Sequence, residues 1–191
     1  MNNHYFFSGA RHWSLLVFCL LLTICTLEAQ TSFSGAADNN WFNASNWTNG
    51  LPASGNDALI GGGRTVNIPS NLTVNFKITN FGTIQLSAVL LNNGTIDNSG
   101  SFVVNSGTMD NYAAFNNFGT FRVATGAFGK NRAGGQFNSN GTLDAQGTFN
   151  NAGAWMQGGT ATIAGEGINS GAAQFNGTVT ASGTFTNHAA G

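Results

Sequence analysis

The side chains of this sequence that could catalyse a reaction are a small set of carboxylates and cations. Beyond residue 29 the acids are Asp38, Asp57, Asp97, Asp110, Asp144 and Glu166, and the bases are Arg64, Lys77, Arg122, Lys130 and Arg132. Two carboxyl groups within about 10 Å of each other can divide the acid and base roles of polysaccharide cleavage. A carbohydrate-active β-helix enzyme, such as a polysaccharide lyase or hydrolase, is therefore one function to consider.

The spacing of these charged residues does not favour a cluster. Asp97, Asp110, Arg122 and Asp144 do not follow one another at a constant interval, so stacking in one column is not expected. Each follows an apolar residue, which places its side chain on the outer face of an alternating strand. His188 is the only histidine beyond residue 29, and no set of residues has metal-ligand spacing. We predict no catalytic residue, no metal and no cofactor, and keep the enzyme as the alternative.

The composition argues against several other classes of protein. Charged residues make up 7% of the 191 residues and the net charge is -1, so we expect no charged patch for nucleic acid or an anionic membrane. Aromatic residues make up 12%, and this much aromatic surface favours burial over disorder. The 27 glycines, with many Asn and Thr residues, are typical of a β protein with many turns.

Residues 1–29 have the features of a secretory signal peptide. The apolar run Leu15–Leu27 is too short for a membrane span, which needs about 20 residues. A small residue, Ala29, stands where cleavage is expected, and an uncleaved anchor is the alternative. Because Cys19 and Cys25 both lie in the apolar run, we expect a mature chain without disulfides.

The rest of the chain has two parts. Residues 30–57 form a Trp-rich entry or cap segment, with Trp41, Trp47 and a Gly-Leu-Pro turn at 50–52. Residues 58–191 alternate apolar and polar side chains in short runs, which is the pattern of β-strands.

A repeated unit, Asn-x-Gly-Thr-apolar, occupies the chain from residue 80 onward. It occurs at 80–84 and 117–121, for example, and glycines recur at every sixth position from Gly141 to Gly183. Because six is even, the apolar residue of each unit stays on one face of an extended chain. Asn and Gly both accept positive φ, so we expect the chain to bend there. Only stacking of successive units can bury the apolar column.

These observations predict an all-β protein, a parallel β-helix (β-solenoid) of about 18 to 20 residues per turn, with about six turns over residues 80–191. The irregular spacing before Gly141 favours a right-handed over a left-handed coil, and an antiparallel sheet or sandwich is the alternative. We expect asparagine side chains at the bends to form ladders along the axis. The predicted internal stack consists of Phe102, Phe115, Phe121, Phe128, Phe137, Phe149, Trp155, Phe175 and Phe185.

Two groups of residues are candidates for binding. Trp41 and Trp47 could stack on a sugar ring, or could instead form a hydrophobic plug that closes the first turn. The Thr-x-Thr segments at 160–162 and 178–180 are one predicted turn apart, so they would stack into the kind of flat threonine array found on ice-binding faces. The simpler explanation is that threonine favours strands.

The Trp-rich segment at 41–47, the Gly-Leu-Pro turn at 50–52 and Asp57 resemble an entry motif of secreted bacterial surface proteins. The repeats that follow are similar to those of autotransporter-like and filamentous-haemagglutinin-like adhesin passengers. The resemblance implies display outside a bacterial cell or on its outer membrane, without enzymatic activity, and binding to glycans or cell surfaces. Because Gly191 falls in mid-repeat, we expect a fragment, or an open solenoid end that self-associates.

Overall fold

Strict alternation of apolar and polar residues turns nearly every segment after residue 55 into a four-residue strand. The computed structural model describes residues 29–188, and these strands coil into a parallel β-solenoid with three sheets, here called faces A, B and C. From the second strand onward, successive strands pass to the next face, and strands three elements apart in the chain pair in parallel. The solenoid prediction is confirmed, and the antiparallel alternative is wrong.

The strand bounds show how regular the coil is. Face A contains β1 (Ala29–Ser32), β2 (Asn56–Ile60), β5 (Lys77–Asn80), β8 (Thr95–Asn98), β11 (Ala114–Asn117), β14 (Gln136–Ser139), β17 (Ala154–Gln157) and β20 (Ala172–Phe175). Face B contains β3 (Thr65–Ile68), β6 (Thr83–Leu86), β9 (Ser101–Val104), β12 (Thr120–Val123), β15 (Thr142–Ala145), β18 (Thr160–Ile163) and β21 (Thr178–Ala181). Face C contains β4 (Leu72–Val74), β7 (Val89–Asn92), β10 (Thr108–Asn111), β13 (Phe128–Asn131), β16 (Thr148–Asn151), β19 (Glu166–Asn169) and β22 (Thr184–Asn187).

The seven strands of face B mark seven turns of the coil. Turn length is read from paired residues: Thr160 lies beside Thr178, whereas Phe115 lies beside Phe137, which is further along the chain. The longest turns therefore exceed the predicted length. The right-handed coil favoured by the spacing stays a prediction. Within residues 29–188 no helix has the length and apolarity needed to cross a membrane.

The second and fourth residues of the four-residue strands point inward, and their burial produces the core. Aromatic rings follow one another along the axis: the Phe115 and Phe137 centroids are 5.4 Å apart, and the Phe149 and Trp155 centroids 5.0 Å apart. Stacked or tilted rings at such distances add packing energy to the burial of their area. The buried members of the stack are Phe102, Phe115, Phe121, Phe137, Phe149 and Trp155.

Two residues of the predicted stack differ from expectation. Phe128 is 40% exposed, because it is the first residue of β13 and the inward position belongs to Gly129. A Cβ on Gly129 would lie 2.8 Å from Val123 and 3.2 Å from Phe149, so neighbouring side chains already fill that space. Phe175 occupies an inward position of the last turn and contacts Trp155, with centroids 4.8 Å apart, yet it is 41% exposed.

Phe185 lies in the same last turn as Phe175. It is partly buried and packs against the hydrophobic core. The side chains of β20–β22 are therefore less buried than those of earlier turns, because within the described residues this turn has a neighbour on one side only.

The predicted asparagine ladders are confirmed at two of the three corners. At the corner from face A to face B, Asn80 Nδ2 donates to Asn98 Oδ1 at 2.7 Å, and Asn98 Nδ2 donates to Asn117 Oδ1 at 2.8 Å. At the corner from face C to face A, the same bond links each member to the next at 2.7 or 2.8 Å along Asn92, Asn111, Asn131, Asn151, Asn169 and Asn187.

The ladder amides also bond to the backbone. Asn98 Nδ2 donates to the carbonyl oxygen of Thr120 at 2.9 Å, in the next turn. Asn80 Oδ1 accepts a bond from the N–H of Gly82 at 3.0 Å, which fixes the bend. The amide therefore sets the corner of its own turn and its register with the next.

The reason for glycine at the corners differs from the one predicted. The positive-φ glycines, such as Gly63 and Gly134, lie in the longer loops, and the regularly spaced glycines from 141 to 183 are not among them. At Gly119 an added Cβ would collide with the carbonyl oxygen of Gly100, one turn below, and Gly141 has the same relation to Gly119. The corners need glycine because successive turns approach too closely for a side chain.

The entry segment is built into the first turn of the coil. Strand β1 pairs with β2, with Ala29 beside Asn56, and a single 3-10 turn, Ala44–Asn46, follows β1. The buried Asn46 donates to Asp38 Oδ1 at 2.6 Å and organises the loop. The predicted signal peptide and both cysteines lie outside the described residues, except for Ala29.

Candidate functional site on the lateral surface

The tryptophan pair lies inside the molecule. Trp41 and Trp47 are 2% and 5% exposed, and their ring centroids are 4.8 Å apart at a steep angle. Trp47 Nε1 donates to the carbonyl oxygen of Trp41 at 2.8 Å, and the Trp41 ring stacks on Phe76. This burial leaves neither ring a free face for a pyranose and favours the hydrophobic plug over sugar stacking. The pair fills the interior beside the first turn.

The charged residues considered for catalysis are dispersed over the three faces. Asp97 lies on β8 of face A, Asp110 on β10 of face C, and Arg122 and Asp144 on β12 and β15 of face B. All four occupy the third position of a strand, as the alternation predicts. Asp110 differs from the other three in being buried, with 7% exposure. The structure therefore brings no two of the three aspartates onto one face. Within residues 29–188 no group of three His, Cys, Asp or Glu side chains could hold a metal ion.

Two of these aspartates have a cationic neighbour at short range. Asp97 lies 2.8 Å from Lys77 Nζ and Asp110 lies 2.7 Å from Arg132 Nε. Partial burial raises the pKa of Asp97, but hydrogen bonds from Asn116 and Lys77 and the charge of Lys77 outweigh it, and the net pKa is lowered. Hydrogen bonding to Asp110 raises the pKa of Arg132. Both are ion pairs: the Lys77–Asp97 pair is partly exposed, whereas Asp110 is buried beside a partly exposed Arg132.

The Arg122–Asp144 pair on face B completes this pattern. Its Nε to Oδ2 distance is 3.5 Å, and Arg122 also donates to Gln146 at 2.7 Å. Each of the three aspartates thus lies beside a cation on a different face, and this arrangement supports separate ion pairs better than an acid–base dyad.

A column of hydroxyl side chains runs along the full height of face B. It is formed by the first residue of every strand, and the backbone pairing places them in successive register: Thr65, Thr83, Ser101, Thr120, Thr142, Thr160 and Thr178. The third, outward column is mixed, since it contains Arg122 and Asp144. A flat Thr-x-Thr array therefore extends over only the two turns at 160–162 and 178–180.

Face A carries a second polar column at the third position of β5, β8, β11 and β14, and the exposed Met156 interrupts it at β17. Asn116 Nδ2 donates to Asp97 Oδ1 at 2.8 Å, and Asn138 Nδ2 donates to Asn116 Oδ1 at 3.0 Å. Higher on this face is a shallow depression of about 340 Å³ between the first and third columns. Its lining holds no titratable side chain and consists of Gln136, Asn138, Ala154, Trp155, Met156, Ala172, Ala173 and Gln174.

Sequence reasoning missed one feature of this surface. Phe81 and Phe118 are 55% and 57% exposed, the largest values among the large hydrophobic side chains of residues 29–188. Both lie at the corner from face A to face B, between the ladder asparagine and the close-packed glycine. The signal was present in the two Asn-Phe-Gly-Thr copies of the repeat, because the x residue between an inward amide and a sterically confined glycine can only point outward.

The comparisons with known proteins find no match to this chain among family models, curated proteins or solved structures. Its function must therefore be argued from the surface itself.

Proposed function

We propose that this protein is a secreted or surface-displayed bacterial β-solenoid, without enzymatic activity, that serves as an adhesin-like or structural rod. The observation that carries the proposal is the pair of polar columns, one over the full height of face B and one over strands β5 to β14 of face A. Stacked strands lie about 4.8 Å apart, so the rod offers hydroxyl and amide groups at short, regular intervals.

Binding by such a surface is multivalent. Each hydroxyl or amide makes a weak contact with a glycan, and rigid repetition allows many contacts to form together, which raises the effective affinity without any single strong site. The dispersed, ion-paired carboxylates support this function over polysaccharide cleavage. Self-association through β20–β22 belongs to the same proposal, because these strands have a neighbour on one side only within residues 29–188 and unpaired strands pair readily with other chains.

The test is to measure binding of the whole chain to surfaces coated with mixed glycans at graded densities. We expect retention to rise more steeply than glycan density, and free monosaccharides to compete poorly. Retention that is independent of density, or absent at all densities, would overturn the proposal. Export is tested in parallel by fractionating bacterial cells that express the full sequence and by determining the N-terminal residue of the released protein, which is expected to be Gln30.

A further inference from the structure

The two exposed phenylalanines lie in one line parallel to the solenoid axis. Asn80, Asn98 and Asn117 are in register on face A, so the residues that follow them, Phe81, Ser99 and Phe118, stack at the same corner. We call these three residues the corner ridge. Its rings are separated by two strand spacings, about 9.6 Å, with the small Ser99 between them.

The fold does not require aromatic residues at this corner. Later turns place Asn140, Gly158 and Asn176 at the equivalent position, directly before the confined glycines. Single exposed apolar residues are ordinary on protein surfaces. Here, however, two rings that are each more than half exposed recur along one line parallel to the solenoid axis, at a defined spacing.

Polar columns lie on both sides of the corner ridge. On face A the outward column beside it contains Thr79, Asp97 and Asn116, which stand two positions before the ridge residues. On face B the hydroxyl column contains Thr83, Ser101 and Thr120, two positions after them. Rings for stacking are thus bordered by donors and acceptors, the combination that suits a sugar with an apolar ring face and hydroxyl edges.

We propose that the corner ridge binds an extended β-1,4-linked polysaccharide that runs along the solenoid axis. In such a ribbon, equivalent sugar faces recur at every second sugar, a repeat close to twice the strand spacing. One sugar stacks on Phe81, the second sugar after it stacks on Phe118, and the hydroxyl groups bond to the two columns. This inference rests on the proposed function and assigns its ligand class and its site.

The test uses affinity electrophoresis of the whole chain in gels that contain hydroxyethyl cellulose, with amylose as the comparison polysaccharide. Wild type is expected to be retarded by the β-1,4-linked polymer and not by amylose. The double variant Phe81→Ala/Phe118→Ala is expected to weaken retardation by about tenfold or more, as loss of two stacking contacts implies. Phe128→Ala removes an exposed phenylalanine ring from face C and should leave retardation unchanged.

A spacing variant separates recognition from general stickiness. Ser99→Phe combined with Phe118→Ala keeps two rings on the ridge but places them one strand spacing apart, about 4.8 Å. We expect it to bind no better than Phe118→Ala alone, because two rings about 4.8 Å apart cannot both stack on equivalent faces of the ribbon. Thermal unfolding of each variant reports whether the fold is intact, because these side chains are exposed and their loss should change stability little.

The outcomes also separate this inference from the proposed function. If wild type binds density-graded glycan surfaces but Phe81→Ala/Phe118→Ala binds hydroxyethyl cellulose as wild type does, the corner ridge is not the site and the rod function stands. If the spacing variant binds like wild type, binding does not depend on the distance between the two rings, and the inference fails. If no glycan surface retains the wild type, the proposed function fails as well.

Discussion

Two corners of the solenoid differ in how they hold the chain. At the corner from face A to face B, a two-residue link follows each strand from β5 to β20, and the inward residue before it is Asn in three consecutive turns. At the corner from face B to face C that residue is always apolar: Ile68, Leu86, Val104, Val123, Ala145, Ile163 and Ala181. Links there vary from two residues to four, as between β12 and β13.

The contrast indicates that the amide adds a directional constraint that the apolar core lacks. A ladder asparagine bonds to its own turn and to the next, so a change of link length threatens the register of its donors and acceptors. An apolar residue needs only contact, which is not directional, and loops of different length can leave it buried.

The corner from face C to face A shows how an amide corner accommodates a longer link. The link after Asn131 is extended, and the N–H of Gly135 donates to the carbonyl oxygen of Arg132 at 2.8 Å, which closes the extra residues in a turn. Gly135 then takes the place of a corner glycine, where a Cβ would meet Asn131 Oδ1. Asn131 keeps its bond to Asn151 at 2.7 Å, so the ladder continues through the insertion.

Among single substitutions, we expect the largest loss of stability at a close-packed glycine of the corner from face A to face B. Gly119→Ala puts a Cβ against the carbonyl oxygen of Gly100, and because the contact is with backbone, two turns must separate. We expect a loss of about 4 kcal/mol in the free energy of unfolding, at the upper end for single changes. Urea unfolding of the whole chain measures it.

The matched control is Gly134→Ala, at a loop glycine with φ of 85° and open space around it. It should cost only about 1 kcal/mol, from backbone strain. Equal losses for the two variants would show that close approach of the turns is not what selects glycine at the corners.

The second effect concerns the amide ladder. Asn98→Ala removes the donor to Asn117 and to the Thr120 carbonyl, and leaves Asn80 Nδ2 without its ladder acceptor. Unsatisfied buried groups cost about 1–3 kcal/mol each, so we expect about 3 kcal/mol in total.

A comparison at the apolar corner sharpens this prediction. Val104→Ala removes buried methyl groups and leaves no polar atom without a hydrogen-bond partner. The free energy of unfolding should fall by about 1–2 kcal/mol. Urea unfolding of both variants ranks them, and a smaller loss for Asn98→Ala than for Val104→Ala would contradict the view that the ladder sets the corner.

Much of the architecture was predictable because the period of the repeat can be counted along the sequence without knowledge of the fold. The regular glycine spacing and the alternation around it predict the stacked coil, the inward phenylalanines and the asparagine ladders, since each depends on side-chain direction along a strand. Phe128 was misplaced because an irregular link precedes it, and the sequence there is consistent with either register. Its neighbour Gly129 faces inward, where Phe149 leaves no room for a side chain.

The binding surface was less predictable than the core. The two tryptophans allowed either a sugar-stacking platform or a hydrophobic plug, and the choice depends on how residues 33–47 fold over the first turn, which no local pattern specifies. The exposed Phe81 and Phe118 were visible in two repeat copies, but their alignment depends on which residues of successive turns pair, as Asn80, Asn98 and Asn117 do. Such turn lengths are settled only by the full set of strand pairings.

The smallest expected effect is the acid dependence of stability on face A. Partial burial raises the pKa of Asp97, but hydrogen bonds from Asn116 and Lys77 outweigh it, and the pKa lies below its ordinary value of 3.8. A carboxyl with a lowered folded-state pKa stabilises the fold above its unfolded value, and this stability is lost as pH falls below 3.8. The amount is about 0.5 kcal/mol, since the pair is partly exposed.

Urea unfolding midpoints measured between mildly acidic and strongly acidic pH, on either side of the ordinary carboxyl pKa, test this expectation. Asp97→Asn should remove part of the acid-induced loss, and Lys77→Met should remove a smaller part because the Asn116 bond to Asp97 remains. The ladder amides carry no charge, so the loss caused by Asn98→Ala should be the same at both ends of this range. If the loss in unfolding free energy caused by Asn98→Ala changed with pH, the amide corner would be coupled to the ion pairs, and its difference from the apolar corner could not be assigned to the amide bonds alone.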